Sequence, residues 1–455
     1  MQAEAARVTM DEIVALARRR GFVFGSSEIY GGIGGFFDYG PLGAILKRNV
    51  KDAWWRETVE LRDDVVAFDA SIVMHPNVWV ASGHVAAFHD QLVDCRVCKH
   101  RFRADHLASR ERCPDCGSPG SLTEPRAFNL MMTTQVGPLE DSSARTYLRP
   151  ETAQGIFVNF KNIYQSARKR PPFGIAQIGK SFRNEITPGN FTFRIREFEQ
   201  AELEYFVPND GSDMEWYGRW VEERRRWYVR YGVSAERLRF YELGPQERPH
   251  YAQAGTDVEY LFPWGWGELE SIAHRGTYDL DAHIKLSGKD LSFFDEGTKS
   301  REVPILIECS AGMDRTTLTM LVDAYAQEEI RDEESGKASK RIVLRFHPKI
   351  APVQAGVFPL ARNKSELVER AHAVERALRP HARTQYDEGN VGQLYRRQDE
   401  IGTPYCIMID YQTLEDATVT VRDRDSMRQD RVAESALGTY LAERLDPADA
   451  ARQRR

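Results

Sequence analysis

Two adjacent stretches of opposite charge hold the residue types that handle a phosphorylated substrate. From Lys161 to Arg196 there are eight basic residues and one acid, Glu185, and from Glu197 to Glu215 there are seven acids and no base. A charge run is ordinarily a solvated face, but the spacing here is more specific. Two antiparallel strands, Ile175 to Asn184 and Phe191 to Val207, are predicted around the turn Thr187-Pro188-Gly189-Asn190. Side chains two apart share a strand face. Arg183 and Glu185 then point together on the first strand, as do Arg194, Arg196, Phe198, Gln200 and Glu202 on the second, with Phe193 and Ile195 on the other face. Such a surface offers guanidinium forks for phosphates, a ring on which a base stacks, and carboxylates for an ammonium or a metal-bound phosphate.

A related arrangement follows the apolar run Val303 to Cys309, which reads as a buried strand. Glu308 and Ser310 share a face there, Gly312 permits a tight turn, and Arg315 falls in the first turn of a helix running from about Asp314 to Ile330. A cation at that end opposes the helix dipole, and a residue set against the local rule hints at function. Cys95, Cys98, Cys113 and Cys116 form two C-x-x-C knuckles, the spacing of a closed tetrahedral zinc site with no catalytic position. Cys309 and Cys406 read as buried strand residues.

The elements that must hold these groups are legible in outline. A short helix, Asp11 to Arg20, precedes the glycine-dense segment Tyr30 to Gly43, which enters a helix from about Leu42 to Glu60 behind Pro41. The glycines match neither G-x-G-x-x-G nor a P-loop, and aromatics between them indicate close backbone packing rather than a phosphate cradle. The cysteines lie in an insert over 86–130, and a further helix is expected near Met214 to Tyr231. The charged stretch Gln327 to Lys340 reads as the main linker. Beyond it, strands (Ile342 to Phe346, Gln354 to Phe358, Arg383 to Tyr386, Tyr405 to Ile409, Thr418 to Arg422) alternate with helices (Ser365 to Leu378, Val391 to Ile401, Val432 to Leu445), and Asn363 with Glu366 suggests a capping box. The expectation is a domain over 1–335 and a compact α/β domain over 340–455.

Composition excludes several classes. A chain of 455 residues with 42% hydrophobic and 29% charged residues is an ordinary globular protein. No apolar run of about 18 residues and no secretion signal is present, so the expected compartment is the cytoplasm, without membrane partners. The net charge of −6 argues against indiscriminate polyanion binding, DNA included, yet it leaves room for a local phosphate site and for modest, shape-dependent RNA binding.

Phe182-Arg183-Asn184-Glu185 followed by Arg194-x-x-x-Phe198 resembles motif 2 of the class II aminoacyl-tRNA synthetases, and Gly312-Met313-Asp314-Arg315 resembles their motif 3. GGIGGFFDYGPLG (Gly31 to Gly43), LRPETAQGIFVNF (Leu148 to Phe160), FEQAELEYF (Phe198 to Phe206) and ECSAGMDR (Glu308 to Arg315) are together similar to the homodimeric glycyl-tRNA synthetases. RFHPKIAPVQAGVFPL (Arg345 to Leu360) and YRRQDEIGTPYC (Tyr395 to Cys406) are similar to that family's anticodon-binding domain, so the likeness spans nearly the whole chain.

The resemblance implies an α+β fold: an antiparallel catalytic sheet flanked by helices, a small Cys-rich insert, and a C-terminal α/β anticodon-binding domain. It implies a homodimer with Gly31 to Glu60 at the interface, and a ligase that joins glycine to ATP as glycyl-adenylate and passes it to tRNA(Gly). Arg183, Arg315 and Glu308 are the catalytic expectations. Arg183, Asn184, Glu185, Phe193, Arg194, Arg196, Phe198, Glu268, Leu269, Gly312, Asp314 and Arg315 are expected to bind ATP, with Glu268 and Glu308 near Mg²⁺. Arg103, Glu151, Phe198, Gln200, Glu202, Glu308, Ser310 and Gly312 are expected around glycine. Glycine has no smaller competitor, so a cramped acidic pocket needs no editing domain. Two other readings are a non-catalytic paralogue on the same fold, which would lack the phosphate arginines, and a class II synthetase for another small amino acid, which needs a roomier pocket.

Overall fold

The computed structural model describes residues 8–138, 144–249, 251–331 and 338–445. Its centre is a seven-stranded sheet: β1 (Val65–Ala67), β2 (Phe173–Phe182), β3 (Glu197–Val207), β4 (Leu238–Glu242), β5 (Ala254–Phe262), β6 (Gly265–Gly276) and β7 (Ile305–Gly312), in the order β4-β5-β6-β7-β3-β2-β1. Every pairing is antiparallel except β1 with β2.

Alternation on β3 decides what each face does. Ala201, Leu203, Tyr205 and Val207 face one side and join the largest apolar core. The helices α2 (Pro41–Trp55), α4 (Asp213–Arg230) and α6 (Met313–Ala324) supply Leu46, Val50, Trp54, Trp220, Trp227, Leu318 and Leu321 to that core. Phe198, Gln200, Glu202 and Glu204 lie on the opposite face, where α3 (Ala153–Ala167) and α5 (Tyr278–Ser287) pack only against the far end, around Phe206 and Leu306. The near end is left open as a cavity.

Local signals explain the entry to this core. α1 (Met10–Arg20) begins at a Thr9/Glu12 capping box and ends at Gly21 in the left-handed region, φ 73°. Gly43 in the first turn of α2 has no room for a side chain: a Cβ there would sit 1.8 Å from the Phe22 carbonyl oxygen. Close packing is thus what Gly43 serves. A π-helical turn, Arg56–Glu60, prolongs α2 to the expected end.

Several expectations are corrected. The two long strands stop at Phe182 and resume at Glu197, so Arg183, Glu185, Arg194 and Arg196 lie off the ladder. Pro188 donates no backbone hydrogen, Asn190 and Phe191 sit at φ 54° and 56°, and Phe191–Phe193 makes a single 3-10 turn; the chain folds into a loop held by the Arg183 N–H on the Arg196 carbonyl and by an isolated bridge between Gly189 and Arg194. The helix expected to reach Ile330 ends at Ala324. The expected linker opens with an antiparallel ribbon, Tyr325–Arg331 with Ala338–Leu344, and 332–337 lie outside the described residues. Charged composition concealed it, because Arg341 is buried while paired with Asp399 and Glu328.

The C-terminal sheet runs Thr384–Tyr386, Ala355–Pro359, Tyr405–Ile409, Thr418–Asp423, Gln429–Ala433, the first three parallel and the last two antiparallel to their neighbours. Gln429–Ala433 takes the start of the expected last helix, which begins at Leu437. Lys364, not Asn363, caps Ser365–Leu378, with no side-chain bond, so the capping box is absent. Residues 446–455 lie outside the described residues. Cys309 and Cys406 are buried on their strands.

Candidate active site

The open face carries a cavity of about 410 Å³. Its wall includes Arg183, Glu185, Phe193, Arg194, Phe198, Gln200, Glu202, Glu268, Glu308, Ser310, Gly312, Asp314 and Arg315, together with Glu151 from the turn before α3 and Arg103 from the insert. The register produces the convergence: Glu202 pairs with Ser310 and Gln200 with Gly312 across β3 and β7.

One end is cationic. The Arg183 guanidinium lies 5.3 Å from the Phe198 ring and 5.4 Å from that of Phe88, with Nε donating to the Pro150 carbonyl at 3.0 Å. The Arg315 guanidinium lies 4.5 Å from the Phe193 ring, donates through Nε to the Phe193 carbonyl at 3.0 Å, and meets Glu268 Oε1 at 3.2 Å. Burial lowers the pKa of Arg315, and of its neighbours Glu268 opposes this while Arg183 and Arg194 add to it. Desolvated like charges brought together this way favour an incoming anion.

The other end is acidic. Glu202 accepts from Thr152 Oγ1, from Ser310 Oγ at 3.0 Å and from Gln200 Nε2 at 3.0 Å. Burial, reinforced by Glu151 and Glu308, pushes its carboxyl up to about 8. Burial also raises Glu308, against the pull of Arg275, which binds it at 2.8 Å. Glu151 goes the other way: His84 at 3.4 Å and Arg275 overcome its burial and hold it well below the ordinary carboxylate range. An ammonium entering here meets more carboxylate than the guanidinium of Arg275 balances.

Three expected residues are not on this wall. The Arg196 guanidinium is spent on the carbonyls of Glu185 and Gly34. Asn184 fastens its backbone to Leu130, and Leu269 is 1% exposed in the back-face core. Asp314 does line the cavity, but its carboxylate accepts from Tyr39, Lys47 and the Glu199 backbone.

Sequence reasoning missed Arg275, Tyr251, Ser271, Asp90 and Phe88, which also line the cavity. Arg275 is 3% exposed, forks onto Asp279 at 2.7 and 2.8 Å, and faces the Tyr251 ring at 4.0 Å. A charge at the end of the run before Gly276, with Asp279 four residues on, was the available signal.

The insert forms one wall. Its three short strands, His89–Asp94, Arg101–Arg103 and Arg126–Asn129, present Arg103, which binds Asp90 at 3.0 Å and Asp105 at 2.8 Å. Behind them the Sγ atoms of Cys95, Cys98, Cys113 and Cys116 all lie within 4.8 Å of one another, with Cys95 to Cys116 at 3.7 Å and Cys98 to Cys113 at 3.6 Å. Tetrahedral zinc with bonds of about 2.3 Å separates its sulfurs by about 3.8 Å, so the donor set fits that ion.

Comparison with known proteins places the same segments. Residues 135–325 match the family described as tRNA synthetase class II core domain (G, H, P, S and T), and residues 354–444 match the anticodon binding domain. The chain is 51% identical to a glycine–tRNA ligase of Thermobifida fusca, the match covering 96% of this chain and 98% of that one. It is 49% identical to that of Streptomyces coelicolor at the same coverage, and 51% identical to that of Bifidobacterium longum over 97% and 94%.

Proposed function

The chain belongs to the glycine–tRNA ligase family, and we propose that the two ends of its cavity divide the activation step between them. Class II synthetases use ATP and Mg²⁺. In this reading the adenine ring stacks on Phe198 with Glu185 at its amino group, while Arg194 and Arg315 hold the outer phosphates. Arg183, at the cationic end, bridges the α-phosphate and the glycine carboxylate and offsets charge building on phosphorus as the carboxylate attacks. No protein nucleophile takes part. Glu268, half exposed on the phosphate side, would offer a carboxylate oxygen to Mg²⁺, which would supply charge neutralisation for the phosphates. Glu308, committed to Arg275, serves the glycine end.

Glu151, Glu202 and Glu308 with Ser310 grip the ammonium, and Arg103 closes the pocket from the insert. Zinc on the four cysteines orders the insert that carries Arg103 and Asp90. The exposed Ile29, Tyr30 and Ile33, at 87%, 86% and 62%, support a homodimer through the glycine-dense segment. The catalytic portion is taken as 1–335 and the anticodon-binding portion as 340–455.

The observation that carries this reading is the opposition of three converging arginines to a buried carboxylate cluster inside one cavity. Glycine-dependent exchange of pyrophosphate into ATP tests it. Arg183→Ala is expected to lower exchange about 10²- to 10³-fold with an unchanged melting temperature, and wild-type-level exchange would defeat the assignment. Exchange with alanine or serine in place of glycine would defeat the pocket reading.

A further inference from the structure

A buried charge network that the proposed chemistry leaves unused lies directly behind the phosphate end. Lys47, midway along α2 and 12% exposed at its side chain, places Nζ 2.7 Å from Asp314 Oδ1 and 2.7 Å from Glu199 Oε2. Lys51, one turn later, reaches Glu199 Oε1 at 2.8 Å. Tyr39 donates its hydroxyl to Asp314 Oδ1 at 2.6 Å, and the Glu199 backbone N–H donates to Asp314 Oδ2 at 2.7 Å. Two ammoniums and two carboxylates thus close on one another.

The chain positions of the two acids give the network its meaning. Asp314 immediately precedes Arg315, and Glu199 immediately follows Phe198. The β3–β7 ladder ends at Gln200 opposite Gly312, so Asp314 Oδ2 takes the first N–H beyond it and ties the start of α6 to the start of β3. Lys47 holds both acids at once from a third element. A buried ion pair is weak evidence of stabilisation, because apolar residues of similar size do as well or better. Fixing a unique geometry is the use that remains.

We infer that Lys47 is a positioning residue for nucleotide binding, setting the Arg315 guanidinium and the Phe198 ring in place before ATP arrives. This rests on the proposed assignment of Arg315 and Phe198 to ATP. Loss of the Lys47 cation leaves two carboxylates facing each other without it, and they separate. The start of α6 shifts, and Arg315 moves from its perch on the Phe193 carbonyl.

The test is steady-state pyrophosphate exchange with the full chain, varying ATP and glycine separately. Lys47→Met is expected to raise the KM for ATP about tenfold and lower kcat several-fold, with the KM for glycine within about twofold of wild type. Lys47→Arg, which keeps a cation able to span two carboxylates, recovers most of the loss. An unchanged KM for ATP in folded Lys47→Met overturns the inference, as do equal changes in both KM values accompanied by a lowered melting temperature. Where Lys47→Met does not fold, Lys47→Gln, which also removes the cation but keeps a polar end, carries the same readout. Arg315→Ala separates the two levels: no change in its KM for ATP defeats the site assignment itself, whereas a raised KM there with none in Lys47→Met defeats only the role of Lys47.

Discussion

Arg275→Met removes the cation on which the acidic end of the cavity depends. The guanidinium is 3% exposed, and its partners Asp279 and Glu308 have side chains 2% and 8% exposed. Truncating it leaves two largely buried carboxylates without their shared cation, beside Glu151, Glu202 and Glu204. Breaking a buried ion pair from one side costs about 3–5 kcal/mol, a large share of a domain's total of about 5–15 kcal/mol. The sign of the pH dependence follows. Unpaired buried carboxylates have folded pKa values above their unfolded ones, so the variant's deficit is small below about pH 4.3 and grows as pH rises through the neutral range. Urea unfolding followed by tryptophan fluorescence reads this cleanly, because all eight tryptophans lie from Trp54 to Trp266, ahead of the C-terminal sheet. Arg275→Lys should fall between wild type and Arg275→Met, since an ammonium cannot reproduce the fork. Adding Glu308→Gln to Arg275→Met should recover part of the loss. A deficit below about 1 kcal/mol at pH 7.5, or one that grows on acidification, would refute the reasoning.

Four other outcomes are expected. Glu202, with its carboxyl pushed up to about 8 by burial and by Glu151 and Glu308, carries a proton at pH 7 in the empty pocket, and glycine's ammonium should expel it. Calorimetry in two buffers of different ionisation enthalpy should then report a proton released on glycine binding at pH 7, absent in Glu202→Gln; no release from wild type would show that Glu202 keeps it. The same raised value means that Glu202 makes the empty fold less stable as pH climbs from about 4.5 to 8, a slope Glu202→Gln should lack. Elemental analysis should find about one zinc per chain, lost in Cys98→Ser/Cys113→Ser together with protease resistance over 86–130 but not with core tryptophan fluorescence; zinc-free, protease-resistant wild type would count against the site. Tyr30→Asp/Ile33→Asp should halve the sedimenting mass, and an unchanged mass would place the dimer contact elsewhere.

Much of the site was readable because β-strand alternation is strict. Gln200, Glu202 and Glu308 with Ser310 are spaced by two, so one face collects them whatever the exact strand ends. The arginines were readable as residues but not as geometry: Arg183, Arg194 and Arg196 were placed on strands, and the loop from 183 to 196 follows instead from Pro188 and two residues at positive φ. That loop sends Arg194 to the cavity and Arg196 to backbone carbonyls, a distinction no periodicity encodes. Arg275, Tyr251 and Phe88 escaped notice because long-range packing brings them in from β6, from the chain before β5 and from the edge of the insert. Lys47 escaped for the converse reason, since a lysine on an amphipathic helix reads as a solvated residue until its partners are seen.

The ribbon after α6 bears on how the C-terminal sheet is joined to the rest of the chain. Arg341 runs from it to Asp399 at 2.8 Å and to the Arg424 carbonyl at 2.7 Å, and the chain leaving it buries Phe346, Ile350 and Ala351 in the catalytic core. Asn49 donates to the carbonyls of Ile350 and Ala351, and Arg20 reaches Glu400 at 2.6 Å. A hinge would need exposed, weakly bonded backbone at this junction, and the chain provides salt-bridged and core-packed residues instead. The C-terminal sheet is therefore joined to the sheet that carries the cavity through packed and ion-paired residues, and not through a free linker.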